Sequence, residues 1–261
     1  MTKRQRLLHG GYLNEPGVWK QGRSVIRRQD HPWPQVVGEA LNALAQGGFK
    51  HCPREVKRLD SCSVVLAYMP GKALSNPVPR WAASKKTLLR VASLMRSFSL
   101  AAEGLGNKLI HSDWLIPPIS DGDVLVHGDP HPTNIIFNVC RRPTAIIDFE
   151  LATLGTHDWN LISLIFSWAP LEPLQLTCWR EISPLPVSER ITTILEHWPP
   201  RSSAEQFIET GRTFIKWRKT WIAKLARLGN PGATTFMNDP NFEYRYQHAL
   251  DLLERQIINV A

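Results

Sequence analysis

The segment Val126-His127-Gly128-Asp129-Pro130-His131-Pro132-Thr133-Asn134-Ile135-Ile136 constrains this chain more than any other. Apolar residues lead into it and out of it, and two prolines stiffen its polar middle. It therefore reads as a rigid loop held at both ends by strands. The loop presents one carboxylate, Asp129, and one carboxamide, Asn134. Fourteen residues beyond Asn134, Ile146-Ile147-Asp148-Phe149-Glu150 presents another carboxylate at the end of a further apolar run. Singly, an Asp at a strand end is a turn or cap residue. Three such groups at this spacing and in this context point to a shared site.

Moving a phosphoryl group onto a hydroxyl calls for these residue types. A carboxylate must orient the hydroxyl and accept its proton, and a divalent cation must sit on the phosphates. Asp129 suits the first task. Asn134 and Asp148 suit the second, because Mg²⁺ prefers oxygen ligands and keeps waters and phosphate oxygens in its other positions. His127 reads as scaffolding hydrogen-bonded to the loop backbone, and His131 as a loop residue near the phosphates. Glu150 either faces the site or caps the strand end. Asp158 reads as an anchor for the catalytic loop.

The rest of the chain divides at Pro70-Gly71. Before it, Val18-Trp19-Lys20 and Ser24–Arg28 read as strands joined by a tight turn at Gln21-Gly22, and Ser63–Met69 as a buried strand. Between them Val36, Val37, Ala40, Leu41 and Leu44 recur at helical spacing over 35–46, with Gly47-Gly48 as the stop. After Gly71, a helix is predicted around 88–100, and amphipathic segments at 188–198, 204–228 and 243–258. The sum is an α+β chain with a sheet-rich first part, 1–70, and a mainly helical second part, 71–261.

At 261 residues, with 43% hydrophobic and 21% charged residues, the chain has enough apolar surface for a packed core, which excludes a disordered protein. Its ten tryptophans are expected in that core. No stretch is apolar for long enough to span a bilayer. Met1-Thr-Lys-Arg-Gln-Arg has no apolar run behind its charges, so no signal peptide is expected. The four cysteines form no CxxC pair and no metal spacing, which fits reduced thiols and a cytoplasmic protein. The net charge of +8 gathers in residues 1–60 and between Arg212 and Arg227. The second cluster reads as a solvated helix face with Phe214, Ile215, Ile222 and Leu225 turned inward. A nucleic-acid surface there would predict steep salt dependence, but no nucleic-acid motif accompanies it, so nucleic acid is not an expected partner.

His-Gly-Asp-x-x-x-x-Asn followed by Ile-Asp-Phe-Glu resembles the aminoglycoside phosphotransferase and choline kinase-like family, which has a protein-kinase-like fold. Leu151-Ala-Thr-Leu-Gly155-Thr-His-Asp158 is similar to the family's stretch after the metal Asp, with Trp159-Asn160 as a departure before Leu161. Gly10-Gly11, Val18, Gly22 and Val25-Ile-Arg-Arg28 resemble the nucleotide-covering hairpin and the strand after it. The glycines form neither a GxGxxG nor a Walker-type loop.

The resemblance covers most of residues 8–165 and implies a two-lobed kinase-like fold with ATP, or GTP, and Mg²⁺ as cofactors. It implies Asp129 as the catalytic base and Asn134 and Asp148 as metal ligands. Arg27 takes the place of the kinase lysine, with Arg28 as the neighbouring alternative, and Glu39 could pair with it. Ala67 and Met69 would lie in the linker whose backbone meets adenine. The acceptor would be a small hydroxyl compound: an antibiotic, an amino alcohol such as choline, or a sugar. Overall basicity disfavours polycationic aminoglycosides, whereas Glu150, Asp158, Glu172 and Glu181 would form an acidic patch that favours them. The rival reading is a degenerate, non-catalytic nucleotide binder. Its signature would be a missing catalytic group, and none of the three is missing.

Overall fold

The turn read at Gln21-Gly22 organises the first sheet. In the computed structural model, which describes residues 6–8, 16–29, 34–75, 77–109, 114–119, 122–171, 179, 185–227, 229 and 231–260, strands β2 (Pro16–Gln21) and β3 (Ser24–Gln29) pair antiparallel. Gln21 lies opposite Ser24, so the loop is Gly22-Arg23. Gly22 adopts φ +63°, the left-handed conformation that two-residue hairpins demand. With β1 (Arg6–Leu8), β4 (Glu55–Asp60) and β5 (Ser63–Ala67) they form a five-stranded sheet in the order β1-β2-β3-β5-β4. Helix α1 (Gln35–Gln46) buries Val36, Val37, Ala40, Leu41 and Leu44, the residues that predicted it.

Strand β4 has no counterpart in the sequence reading. Its residues, Glu-Val-Lys-Arg-Leu-Asp, lie at a sheet edge, and the strand buries none of them fully. Edge strands need no apolar face and are often charged. The sheet-rich part meets the rest at Gly71, which adopts φ +133°. A Cβ there would lie 2.5 Å from Phe137 O, so only glycine fits the crossing without a shift.

Beyond Gly71 the molecule is mainly helical, which completes a two-lobed α+β architecture. Helix α2 (Lys85–Ala101) starts at Ser84, whose side chain accepts from Thr87 N, and buries Leu88, Val91, Ala92, Met95 and Phe98. A short helix, α3 (Gly106–Leu109), follows. Small sheets frame the site: β6 (Lys72–Ala73), β8 (Ile135–Phe137) and β9 (Pro143–Ile146) in one, β7 (Val124–Val126) and β10 (Thr153–Gly155) in the other.

Helix α4 (His157–Trp168) is buried at every position. A helix surrounded by core has no polar face, so it leaves no amphipathic signature in the sequence. Helices α5 (Val187–His197), α6 (Ala204–Arg227), α7 (Pro231–Met237) and α8 (Phe242–Val260) complete this lobe, three of them at the segments read from periodicity. Trp159, Trp168, Trp179 and Trp198 are in the core, as expected. Gly10-Gly11, Glu172, Cys178 and Glu181 lie outside the described residues.

Candidate functional site

Strand β7 ends at Val126, and the chain then turns sharply. Gly128 takes φ +80°, and a Cβ on it would stand 2.3 Å from Leu151 O. The glycine between His127 and Asp129 is thus a steric requirement. His127 is fully buried. Its Nε2 lies 2.9 Å from Ile147 O, and its Nδ1 accepts from Asp129 N at 3.2 Å. The two bonds define a neutral ring that donates through Nε2. Burial holds the imidazole pKa below its usual value, against the opposing pull of Asp129, the Ile147 carbonyl and Asp148. Phe98 and Phe149 pack edge-on against the ring. His127 therefore fixes the loop to the strand end that carries Asp148, the scaffolding role read from the sequence.

Asn134 closes the loop. Its Nδ2 donates to Asp129 O at 3.0 Å and to Asp129 Oδ2 at 3.3 Å, which keeps its side-chain oxygen as the remaining acceptor. Asn134 O accepts from Ile147 N at 2.9 Å, so the loop's end lies beside the residue preceding Asp148. His131 accepts from Thr133 N and bonds Thr133 Oγ1 at 2.6 Å, which shapes the turn. Asp148 itself adopts φ 69°, ψ 65°, a left-handed conformation rare for a residue with a side chain. Such strain is held in place by its surroundings and collects at functional positions.

Arg27 reaches this strand end from β3. Its Nη1 lies 2.6 Å from Asp148 Oδ1, and its Nη2 pairs with Glu150 Oε2. The guanidinium is 5% exposed. Burial works to lower its pKa, and the two carboxylates more than offset this, so the pKa stands above the ordinary value. Arg28 points to the other face of the strand, is exposed, and lies over the Trp19 ring. Alternation along β3 thus selects Arg27 over Arg28. Glu39 is not brought to Arg27. It is exposed on α1 and accepts from Gln35 Nε2, and Glu150 takes the place expected of it.

Ala67 ends β5 with its amide bonded to Arg54 O, and Tyr68 N bonds Arg23 O. Met69, half-buried, follows where the chain leaves the sheet. Asp158 does not anchor the catalytic loop. Its carboxylate accepts from Arg201 N, Ser202 N and Ser202 Oγ and so holds the turn before α6. The anchor is Asn160, one of the two residues by which the sequence departs from the family pattern. Its Oδ1 accepts from His127 N, and its Nδ2 donates to Leu125 O and Ser99 Oγ.

One site residue escaped the sequence reading. Arg218 on α6 has a side chain 8% exposed, and its Nη2 lies 3.8 Å from Asp129 Oδ1. The signal was present. Gly211, Phe214, Ile215, Arg218, Trp221 and Ile222 form one helical stripe, and an arginine inside an apolar stripe is a buried charge in need of a reason. Asp129 sits between opposing influences. Burial raises its pKa, while Arg218, His127 and the Asn134 bond lower it and Asp148 raises it. The net shift is upward.

The donor set fits a magnesium ion. Asn134 and Asp148 offer hard oxygens, and Asp148 already attracts a cation in Arg27. Among the described residues no group of three or more His, Cys, Asp or Glu side chains is placed to hold a metal. Two protein ligands are enough for Mg²⁺ on a nucleotide.

A half-buried carboxylate in a rigid loop, a carboxamide bonded to it, and a second carboxylate paired to a strand arginine come together where the two parts of a protein-kinase-like fold meet. The chain belongs to the phosphotransferase enzyme family, whose sequence profile matches residues 37–177. A search of curated proteins gives no significant match. Among solved structures, a choline/ethanolamine kinase family protein from Mesorhizobium loti superposes with a TM-score of 0.58 at 14% identity, covering 99% of this chain and 92% of that one. The choline kinase LicA from Streptococcus pneumoniae gives 0.54 at 14% identity, over 97% and 93%. The GDP complex of aminoglycoside 2'-phosphotransferase-IIIa gives 0.52 at 16% identity, over 98% and 93%. At these identities the superpositions show a shared fold. Among the described residues no helix is long and apolar enough to cross a membrane.

Proposed function

We propose that this chain transfers the γ-phosphate of ATP, or GTP, to a hydroxyl of a small molecule, with its nucleotide-covering lobe in residues 1–70 and its catalytic lobe in 71–261. The observation that carries the proposal is the Asp129 carboxylate held by Asn134 Nδ2 beside the Asp148–Arg27 pair. When bound, Mg²⁺ would neutralise phosphate charge, and Asn134 Oδ1 and Asp148 would hold it. Asp129 orients the acceptor hydroxyl and takes its proton at a carboxylate oxygen. Its raised pKa makes it a better base than an exposed aspartate. Arg27 keeps Asp148 aimed and is near enough to turn toward phosphate oxygens. Ala67 and Met69 would border adenine, and among the described residues the Met69 amide makes no hydrogen bond, which suits that role.

Most of the rate enhancement would come from positioning and charge stabilisation. All three groups of the catalytic set are present, with Asn134 bonded to Asp129 and Asp148 paired with Arg27, which favours an enzyme over a degenerate nucleotide binder. The test is a thermal-shift screen of ATP, GTP and hydroxylated metabolites with Mg²⁺, followed by a phosphate-transfer assay on the compounds that bind. Binding of a nucleotide with no transfer to any hydroxyl compound that also binds would favour the degenerate reading.

A further inference from the structure

Ser99 differs from the serines that precede it on α2. Ser93 and Ser97 donate to the carbonyls four residues back, Leu89 O and Ser93 O. Ser99 is fully buried and turns instead to α4. Among the described residues its Oγ has two partners, His157 Nδ1 at 2.8 Å and Asn160 Nδ2 at 3.2 Å. The same Asn160 carboxamide holds the catalytic loop through His127 N and Leu125 O. His157, Ser99 and Asn160 therefore form one buried hydrogen-bonded chain that ends on the loop carrying Asp129.

The proton positions in this chain follow from its partners. Asn160 Oδ1 faces a backbone N–H and its Nδ2 a backbone carbonyl, which fixes the orientation of the carboxamide. Nδ2 then donates to Ser99 Oγ, and the hydroxyl proton has His157 Nδ1 as its acceptor. The ring is thus neutral, with its own proton on Nε2, 3.5 Å from Glu103 Oε2. A second proton would go to Nδ1. Two donors would then point at Ser99 Oγ, and the hydroxyl proton would lose its acceptor in a fully buried place. Ser99 must then turn, and the hold on Asn160 loosens.

Helix α4 packs against α2, β7, α5 and α6, and the charges they bring to the ring are few. Glu103, just beyond α2, faces Nε2 and also pairs with Arg201 from the turn before α6. Asp158, next to His157 on α4, is engaged by Arg201 N and by Ser202. Strand β7 carries no charge. On α5, Arg190 bonds Trp168 O at the opposite end of α4, His197 pairs with Ser93 Oγ, and Glu189 and Glu196 are exposed. On α6, Glu205 and Glu209 are exposed, and Arg218 stands by Asp129. Burial and Arg201 lower the His157 pKa, Glu103 and Asp158 raise it, and the net shift is downward.

We infer that His157 and Ser99 are positioning residues of the catalytic loop, and that a proton on His157 moves the loop from a held to a loosened state. The neutral ring keeps Asn160 on His127 and Leu125, and the charged ring releases it. Glu103 and Arg201, both exposed, set the pH at which this happens without touching the site. The effect on turnover rests on the phosphotransferase reading above, whereas the coupling between the side chains does not.

The experiment follows the ¹⁵N-labelled chain by NMR between pH 7.5 and 5, reading the His157 ring and the Asn160 side-chain amide. One shared midpoint is expected, with near-ultraviolet circular dichroism constant across the range. Glu103→Gln removes an anion that favours the charged ring, so both signals should shift to lower pH. Arg201→Gln removes a cation that opposes it, so both should shift to higher pH. In Ser99→Ala the ring still titrates and the Asn160 amide no longer follows. In a phosphate-transfer assay, kcat should fall along the same midpoint while KM for the nucleotide stays within about twofold.

The wild-type titration does not depend on any variant folding. An Asn160 amide that stays still while the ring titrates, a ring that stays neutral down to pH 5, or global unfolding over that range would each overturn the inference. So would shifts of the same sign in Glu103→Gln and Arg201→Gln. Transfer with a kcat that ignores the midpoint would do so while leaving the phosphotransferase reading intact. A coupled titration in a chain that transfers no phosphate would support the coupling and strike that reading.

Discussion

Asp129 is held in a place that costs its charged form solvation. Its pKa is raised chiefly by burial, so in the folded protein the carboxyl resists ionisation more than in the unfolded chain. A carboxyl raised in this way favours folding below the unfolded pKa of about 4 and opposes it above. Asp129→Asn removes the charge and keeps an amide oxygen to accept from Asn134. At pH 7 its melting temperature is expected to equal or exceed that of the wild type, with the gain shrinking as pH approaches 4, while phosphate transfer is lost. A melting temperature well below wild type at pH 7 would contradict this account of the site.

His127 behaves in the opposite sense. Its folded pKa is depressed by burial, and that of His157 is depressed as well, with burial again the largest cause. A depressed histidine contributes stability above its unfolded pKa of about 6.5, and the contribution is lost as pH falls through the folded value. Thermal scans between pH 7.5 and 5 should show a loss of melting temperature on acidification. His127→Gln, which can still donate to Ile147 O, should flatten that slope.

At the scale of elements, the loop depends on α4 more than on its own residues. Asn160 bonds His127 N, Leu125 O and Ser99 Oγ from a fully buried position. Asn160→Leu would leave those partners unsatisfied, at about 1–3 kcal/mol for each buried group. A denaturation midpoint lowered by several kcal/mol is expected, together with weaker transfer. An unchanged midpoint would mean that the loop holds itself. Helices α1, α2, α5, α6 and α8 were legible in the sequence because each has one apolar stripe. Helix α4 and strand β4 were not, for opposite reasons: α4 is buried on every side, and β4 on none.

The site shows the same division. Asp129, Asn134 and Asp148 were legible because a loop between two strands fixes their spacing locally. The partner of Arg27 was not, because Glu39 and Glu150 are equally plausible until the lobes are packed. The anchor expected at Asp158 is Asn160 for the same reason, since only the packing of α4 decides which side chain faces the loop. Arg218 lies 89 positions from Asp129 in sequence, and its only trace is a charge in an apolar stripe.

At the scale of the molecule, the buried Arg27 cluster ties the lobes together. Arg27 belongs to the five-stranded sheet, and Asp148 and Glu150 to the lobe beyond Gly71. Arg27→Met would leave two carboxylates near each other without their cation. Removing one partner of a buried ion pair costs about 3–5 kcal/mol, and Asp148, 23% exposed, places the expected loss at the lower end. Equilibrium unfolding in urea measures it. A loss well under 1 kcal/mol would mean that the pair is screened by solvent.

The central claim is that Asp129 and Asp148 act together in phosphoryl transfer to a hydroxyl. Its most direct test is ³¹P NMR of ATP, Mg²⁺ and a binding hydroxyl compound with wild-type protein, Asp129→Ala and Asp148→Ala, each first shown to be folded. The account predicts a new phosphomonoester signal growing in step with ADP for the wild type, and none above background for either variant. Phosphomonoester formed at the wild-type rate by either folded variant would contradict it.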